Sequence, residues 1–420
     1  MNASIVNIGD ELLIGQVVNT NATYMLQALT HSGIAVVEVC TVGDNADAIE
    51  SAIRRCQEHS DLILLTGGLG PTKDDITKET LCRFFGSELY ENTEALANIE
   101  RLFAQRGFPL TETNRRQALV PRCCEMINND HGTAPCMWFN AGKKAIVSLP
   151  GVPFEMEYLI AEKIIPLVRE RFKIGSIVCR NILVQGIGES FLSDLLEDIE
   201  AAMPKNTKLA YLPQAGIIKL RITAIGEGAS SHDEIEKQVE DVASAVSKAA
   251  GQYIVGENVE SIAEAVSNMM HSRRCTLATA ESCTGGHIAA MLTALPGASE
   301  YFKGGITAYC NEAKHKLLGV AQHTLDTYGA VSEQTVSEMV QGARTKYNAD
   351  YAVATTGVAG PAGGTEATPV GTVWMAVATP THTVTMKKHY NGRRQQVTDR
   401  ATNEVLAMLI RECENLPPNA

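Results

Sequence analysis

Along the first third of the chain, short runs of aliphatic and β-branched residues alternate with amphipathic stretches: Ser4 to Ile8, Asn19 to Thr30, Ile34 to Cys40, Ala46 to Cys56 and Leu62 to Leu65. A β, α, β, α, β order predicts an α/β domain, a parallel sheet covered by helices in three layers. Lys144 to Leu149 adds a strand, Pro150 and Gly151 break it, and Phe154 to Phe172 reads as a long helix that closes the unit. The pattern assigns residues 1–170 to this first domain.

The pattern then changes. Ser176 to Gln185 and Gly216 to Ala224 are strand-like, whereas Glu189 to Met203 and His232 to Ala250 are helical. Residues 171–255 are therefore expected to form a small α+β domain, with Gly251 to Asn258 as a connector. The stretch Gly216-Ile-Ile-Lys-Leu-Arg-Ile-Thr alternates polar and apolar positions as a half-exposed strand does. From Ser261 a helix, a buried strand at Thr276 to Ala280 and further β/α alternation run to a helix around Val397 to Arg411. This predicts a third domain, α/β, over residues 256–420. No repeat period is visible, so chemistry is sought in the loops.

Composition narrows the function classes. A 420-residue chain with 45% apolar and 20% charged residues is long enough for two or three ordinary cores. The 36 basic against 48 acidic residues leave a net charge of -12, which works against attraction to nucleic acid or an anionic membrane. No apolar run reaches the roughly 18 residues of a membrane span, and Met1 to Asp10 has neither a charged n-region nor an h-region. A cytoplasmic protein is expected. The 11 cysteines are scattered, never spaced C-x-x-C, with only Cys123 and Cys124 adjacent, and the ten histidines are dispersed. That pattern signals neither a disulfide framework nor a structural zinc site.

Two glycine-rich segments stand at strand ends. Leu62 to Leu65 runs into Thr66-Gly-Gly-Leu-Gly-Pro-Thr-Lys-Asp-Asp75, followed by a helix. Glycines there let backbone N–H groups approach an anion, and a helix N-terminus adds partial positive charge, so Gly67, Gly68 and Gly70 are candidate phosphate contacts. Asp74 and Asp75 cannot both be needed for capping, and their charge suits a divalent cation or a ligand hydroxyl. A second loop, Gly9 to Gly15, ends the first strand, so Asp10, Glu11 and Asp75 are expected at one sheet edge.

In the third domain, the buried strand runs into Glu281-Ser-Cys-Thr-Gly-Gly286 and then an apolar helix. A serine on a strand-to-helix turn is exposed beside backbone N–H groups that can bind an oxyanion, making Ser282 a candidate nucleophile. An isolated serine before a helix is more often an N-cap, but a second cluster, Gly304 to Lys314, supplies what a nucleophile needs. Lysine in a desolvated pocket can serve as its base, and Tyr309 and Lys314 both fit that role. Cys283 is the rival nucleophile. The loop Thr355 to Gly364 is too glycine-rich for a plain turn and suits a phosphate or ribose, with Arg393 and Arg394 available for charge-assisted contacts.

These motifs resemble one family in order and spacing. Gly9-Asp-Glu-Leu-Leu-x-Gly, Asn19-Thr-Asn, Thr66-Gly-Gly-Leu-Gly-Pro-Thr-x-Asp-Asp, Asn114-Arg-Arg-Gln-Ala and Leu149-Pro-Gly-Val-Pro look like the CinA amino-terminal domain, which is similar to the molybdopterin-binding fold. Ala280-Glu-Ser-Cys-Thr-Gly-Gly, Tyr309-x-Asn-x-x-Lys, Gly329-Ala-Val-Ser and Gly357-x-Ala-Gly-Pro look like its carboxyl-terminal domain. The resemblance implies deamidation of nicotinamide mononucleotide by Ser282 with Tyr309 and Lys314, needing no cofactor. It implies substrate contacts from Asn21, Gly67, Gly68 and Gly70 in the first domain. In the third it implies Thr284, Gly285, Gly286, Gly305, Asn311, Thr356, Gly357, Ala359, Gly360 and Arg394. It further implies ADP-ribose pyrophosphate hydrolysis with a divalent metal ion at Asp10, Glu11 and Asp75, and a homodimer. The alternatives are a protein that is chiefly an ADP-ribose pyrophosphatase, or a non-catalytic module binding a pterin, a nucleotide or recombination proteins in DNA uptake.

Overall fold

The structure, a computed structural model, describes residues 1–72, 74–172, 177–226 and 232–415. They form two compact units, Met1–Val178 with Ile225–Ile235, and Cys179–Ala224 with Glu236–Ala420.

The first unit holds strands β1 (Asn2–Ile8), β2 (Ala35–Val42), β3 (Leu62–Thr66), β4 (Leu89–Glu91), β5 (Leu119–Pro121), β6 (Glu125–Ile127), β7 (Cys136–Ala141) and β8 (Lys144–Leu149). Six of them make one sheet in the order β2-β1-β3-β8-β7-β6, while β4 and β5 pair separately. The neighbours β2, β1, β3 and β8 are parallel, as the β/α alternation predicts. The far edge is not. Ala141 pairs with Lys144 across a two-residue turn, too short for a crossover, so β7 returns antiparallel to β8 and β6 to β7.

Period-two alternation along β1 and β3 feeds two cores. Ala3, Ile5, Leu62 and Leu64 face Met25, Leu29, Met156 and Ile160, whereas Val6, Ile8, Ile63 and Leu65 face Ile49 and Ile53. Each such aliphatic side chain contributes roughly 1.5–3 kcal/mol on burial, which is why these strands read as continuous apolar runs. Helices start where asparagines can cap them. Asn19 Oδ1 accepts from Ala22 N at 3.0 Å, and Asn45 Oδ1 from Asp47 N and Ala48 N at 3.0 and 3.1 Å. The long helix over 153–172 is continuous but passes through a π-helical segment at Leu159–Ile164.

The second unit contains two sheets. β9 (Ile177–Gln185), β10 (Thr207–Pro213), β11 (Ile217–Ile225) and β12 (Ile254–Glu257) order as β10-β11-β9-β12. The expected connector is thus partly a strand, since Ile254 to Glu257 pairs antiparallel with β9. β13 (Leu277–Glu281), β14 (Phe302–Thr307), β15 (Tyr351–Gly357), β16 (Thr372–Ala378) and β17 (Thr383–His389) order as β14-β13-β15-β16-β17. β13 is parallel to both neighbours, and β16 and β17 complete an antiparallel meander.

Leu183, Ile217 and Val255 of the smaller sheet belong to the same buried cluster as Val353, Met375 and Val405. Asn403 Nδ2 also donates to Ala215 O at 2.8 Å. Residues 179–224 therefore pack as one body with the third predicted domain. Among the described residues no helix is long and apolar enough to cross a membrane.

Candidate functional site

Strand register gathers the chemistry on one edge of each large sheet. In the second unit Glu281 of β13 pairs with Thr307 of β14 on one side and Thr355 of β15 on the other. Ser282 and Ala308 with Tyr309 consequently leave the sheet together at the carboxyl ends of parallel strands, where open α/β sheets bind ligands, while Thr356 beside them continues β15 against β16.

Ser282 is buried, 7% exposed, and its N–H donates to Thr355 O at 3.0 Å. Gly285 and Gly286, at φ 63° and 98°, turn the chain into the helix His287–Thr293. Glu281, 1% exposed, holds that turn by accepting from Gly286 N, Ile288 N and Ala289 N at 3.0, 3.0 and 2.9 Å. Gly285 N and His287 N donate to Ser282 O and Thr284 O. The N–H groups of Cys283 and Thr284 follow Ser282 directly in this turn.

Lys314, 2% exposed, lies on the helix Asn311–Leu318. Its Nζ sits 3.0 Å from Ser282 Oγ and 3.0 Å from Ala308 O. Burial pulls its amine below the usual lysine range, so it gives up its proton more readily than an exposed lysine. Burial acts oppositely on Cys283, whose thiol is pushed up to about 12, so this rival carries little thiolate.

The other predicted residues divide. Tyr309 is exposed, and its hydroxyl accepts from Arg394 Nη2 instead of meeting Ser282. Arg394 Nη1 donates to Gly360 O at 2.9 Å, so Tyr309, Arg394 and the Thr355–Gly364 loop are joined. Thr284 Oγ1 and Thr355 Oγ1 are 2.7 Å apart, and Thr356 Oγ1 donates to Ala330 O at 2.6 Å. Gly357 ends β15, Ala359 is buried and Asn311 begins its helix exposed. Gly305 lies inside β14 opposite Thr279, and a Cβ there would come 2.2 Å from Thr279 Oγ1, so close packing accounts for it.

In the first unit Asn7 pairs with Thr66, Ile8 with Val42 and Thr66 with Leu149. Their successor loops line one cleft of about 390 Å³, with Glu11, Asn21, Gly67, Gly68, Gly70 and Asp75 among its walls. Gly67 has φ 112°, and a Cβ there would meet Ile8 O at 2.1 Å, so only glycine fits. Asn21 Nδ2 donates to Gly151 O at 2.8 Å. Asp10 is outside the cleft wall, its carboxylate accepting from Asp44 N at 3.3 Å. Asp44 takes its place, a residue the sequence reading missed because no motif surrounds it. Burial pushes its carboxyl up, and the charges of Asp10, Glu11 and Asp75 push the same way.

That repulsion is what a divalent cation would relieve. Among the described residues Asp10, Glu11 and Asp75 do not form a gathered three-ligand set. Glu11, Asp44 and Asp75 all line this cleft. Asp75 is steadied by Thr72 N and Thr72 Oγ1 at 2.8 and 2.5 Å. Lys78, also overlooked, is buried beside a neighbouring cavity that shares Gly70 and Asp75. Its amine is pulled down to about 8 by burial, and it donates to Gln117 O at 2.7 Å.

A buried serine–lysine pair on one sheet and a glycine-rich acidic cleft on another belong to a multidomain α/β protein. Residues 4–170 match the family described as a probable molybdopterin binding domain, 179–256 the damage-inducible protein CinA KH domain and 259–413 the CinA C-terminal domain. A CinA-like protein of Cytophaga hutchinsonii is 40% identical over 415 residues, covering 99% of this chain and 98% of its own. One of Flavobacterium psychrophilum is 40% identical over 415 residues, covering 98% of each. The competence damage-inducible protein A of Klebsiella pneumoniae, a crystal structure, is 36% identical and covers 37% of this chain and 97% of its own, with a TM-score of 0.36. The chain belongs to the CinA family.

Proposed function

We propose that the Ser282 site hydrolyses the carboxamide of nicotinamide mononucleotide to nicotinate mononucleotide and ammonia. The observation that carries this reading is the 3.0 Å contact of Lys314 Nζ with Ser282 Oγ inside a buried setting. Neutral Lys314 accepts the hydroxyl proton as Oγ attacks the carboxamide carbon, and the oxyanion is held by the N–H groups of Cys283 and Thr284. The intermediate collapses when the proton passes from Lys314 to the leaving nitrogen, which departs as ammonia, leaving an ester on Ser282. Water, deprotonated by Lys314, cleaves that ester and restores the serine. Arg394, oriented by Gly360 O, donates to the substrate phosphate, and Tyr309 borders the same rim.

A second activity, hydrolysis of the ADP-ribose pyrophosphate, is favoured for the amino-terminal cleft by the mutual repulsion around Asp44. Glu11, Asp44 and Asp75 would hold a divalent cation, which supplies charge neutralisation on the phosphates. The glycine turn Gly67–Gly70 presents backbone to the same phosphates.

The test is a double dissociation with full-length protein. Ser282→Ala is expected to stop ammonia release from nicotinamide mononucleotide while leaving AMP release from ADP-ribose intact, and Asp75→Ala to do the converse. Both activities falling together in either variant, or neither changing, overturns the two-site assignment.

A further inference from the structure

The sequence carries no zinc-binding spacing, yet folding brings candidate ligands together from two elements. Glu38 and Cys40 occupy alternate positions on β2, so both point to one face of the sheet. Cys56 and His59 are three apart on the helix Ala46–His59, so both lie on the side turned to that face. The sulfurs of Cys40 and Cys56 and a carboxylate oxygen of Glu38 lie within 4.8 Å of one another, a gathering found nowhere else among the described residues. We infer that Glu38, Cys40, Cys56 and His59 form a binding site for a zinc-class divalent cation, apart from both proposed reaction sites.

The donor set and its spacing both support this. Two thiols, an imidazole and a carboxylate are what zinc takes in four-coordinate sites, and magnesium or calcium would not choose sulfur. Tetrahedral zinc, with bonds of about 2.0–2.3 Å, holds its ligand atoms roughly 3.3–3.8 Å apart. Here Cys56 Sγ is 3.7 Å from Glu38 Oε2, and His59 Nε2 is 2.9 Å from the same oxygen. His59 meets the carboxylate but lies outside the three-residue gathering, so it becomes the fourth ligand by turning its ring towards the thiols as the cation binds.

The carboxylate is already divided between two tasks. Arg55 Nε and Nη2 bind Oε1 at 2.9 and 2.7 Å, leaving Oε2 turned towards Cys56 and His59. Arg55 thus acts as a positioning residue for a monodentate ligand, the outer-shell partner that metal-binding carboxylates usually have. Cys56 is fully buried and Cys40 partly so, while Glu38 and His59 reach solvent and give the cation a way in. On binding, the two thiols release their protons to solvent and the cation joins sheet-edge strand β2 to the end of the helix. Without a cation the same groups are an Arg55–Glu38–His59 ion network beside two thiols, so the alternatives differ in measurable ways.

The experiment titrates cobalt(II) into reduced, metal-stripped full-length protein and follows the thiolate-to-cobalt charge-transfer band, then displaces it with zinc. One equivalent should bind with sulfur ligation. Cys40→Ser should weaken binding by more than about 100-fold, and Arg55→Ala by about 10–100-fold as expected for an outer-shell partner. Far-ultraviolet circular dichroism confirms folding, and His59→Ala, at a half-exposed position, serves where a buried cysteine variant fails to fold. The inference is overturned by the lack of a thiolate band at saturating cobalt. It is equally overturned by a band that persists in Cys40→Ser and His59→Ala but is lost on replacing Cys123 and Cys124.

Discussion

The turn Gly67–Gly70 and the turn Thr284–Gly286 use the same backbone device, glycines that carry a buried strand into a helix, and differ in where they keep their carboxylates. At the second, Glu281 is buried and spent on three backbone N–H groups, so the turn is complete without a ligand, and the groups proposed to react are the neighbouring Ser282 and Lys314. At the first, Asp44, Glu11 and Asp75 line an open cleft, and burial together with the charges of Asp10, Glu11 and Asp75 raises the Asp44 carboxyl, a strain that the proposed divalent cation would relieve. The difference is one of enclosure: Asp44 and Asp75 also accept from backbone N–H groups, of Asp10 and Thr72, but line an open cleft, whereas Glu281 is buried.

The largest effect that would break this contrast is at Lys314. Lys314→Met should lower ammonia release by about 1,000-fold or more, because the serine loses its base, with no comparable loss of stability since a buried amine is replaced by a matching apolar chain. Rate assays and urea unfolding of the same sample check both halves. Omitting divalent cations should abolish AMP release from ADP-ribose yet leave ammonia release unchanged, measured on one preparation. Equal sensitivity of the two activities would mean that the sites do not differ as described.

Glu281→Ala strands three backbone N–H groups, one buried and two part-buried, and should cost roughly 3 kcal/mol in urea unfolding. A cost near zero would show that the turn does not need its carboxylate. Arg394→Ala should raise KM for nicotinamide mononucleotide roughly tenfold with little change in kcat, the mark of a binding contact. Smallest is the pH effect. A protonated Lys314 cannot accept the serine proton, so ammonia release should rise with pH through an inflection below the ordinary lysine range, and initial rates across pH would reveal it.

Much of this was legible in sequence. Buried parallel strands such as Leu62–Thr66 announce themselves as uninterrupted apolar runs, and Ser282 and Lys314 stand in glycine-rich segments at strand ends. The β7–β8 hairpin was hidden because a short apolar run does not reveal strand direction, and Ile254 to Glu257 looked like a connector because glycines flank and interrupt it. Tyr309 is expected beside Ser282 from the strand-end cluster it shares with Lys314 and from the family resemblance, whereas its hydroxyl is held by Arg394, 85 positions away. Asp44 and the Glu38, Cys40, Cys56 group depend in the same way on tertiary contacts that no local motif encodes.

The central claim is that Ser282, and not its neighbour Cys283, is the nucleophile of an amidase. Ammonia released from nicotinamide mononucleotide, measured side by side for the full-length protein, Ser282→Ala and Cys283→Ala with no added divalent cation, tests it most directly. The account predicts release by the unaltered protein and by Cys283→Ala, and none by Ser282→Ala. Undiminished release by Ser282→Ala, or none by the unaltered protein, would contradict it.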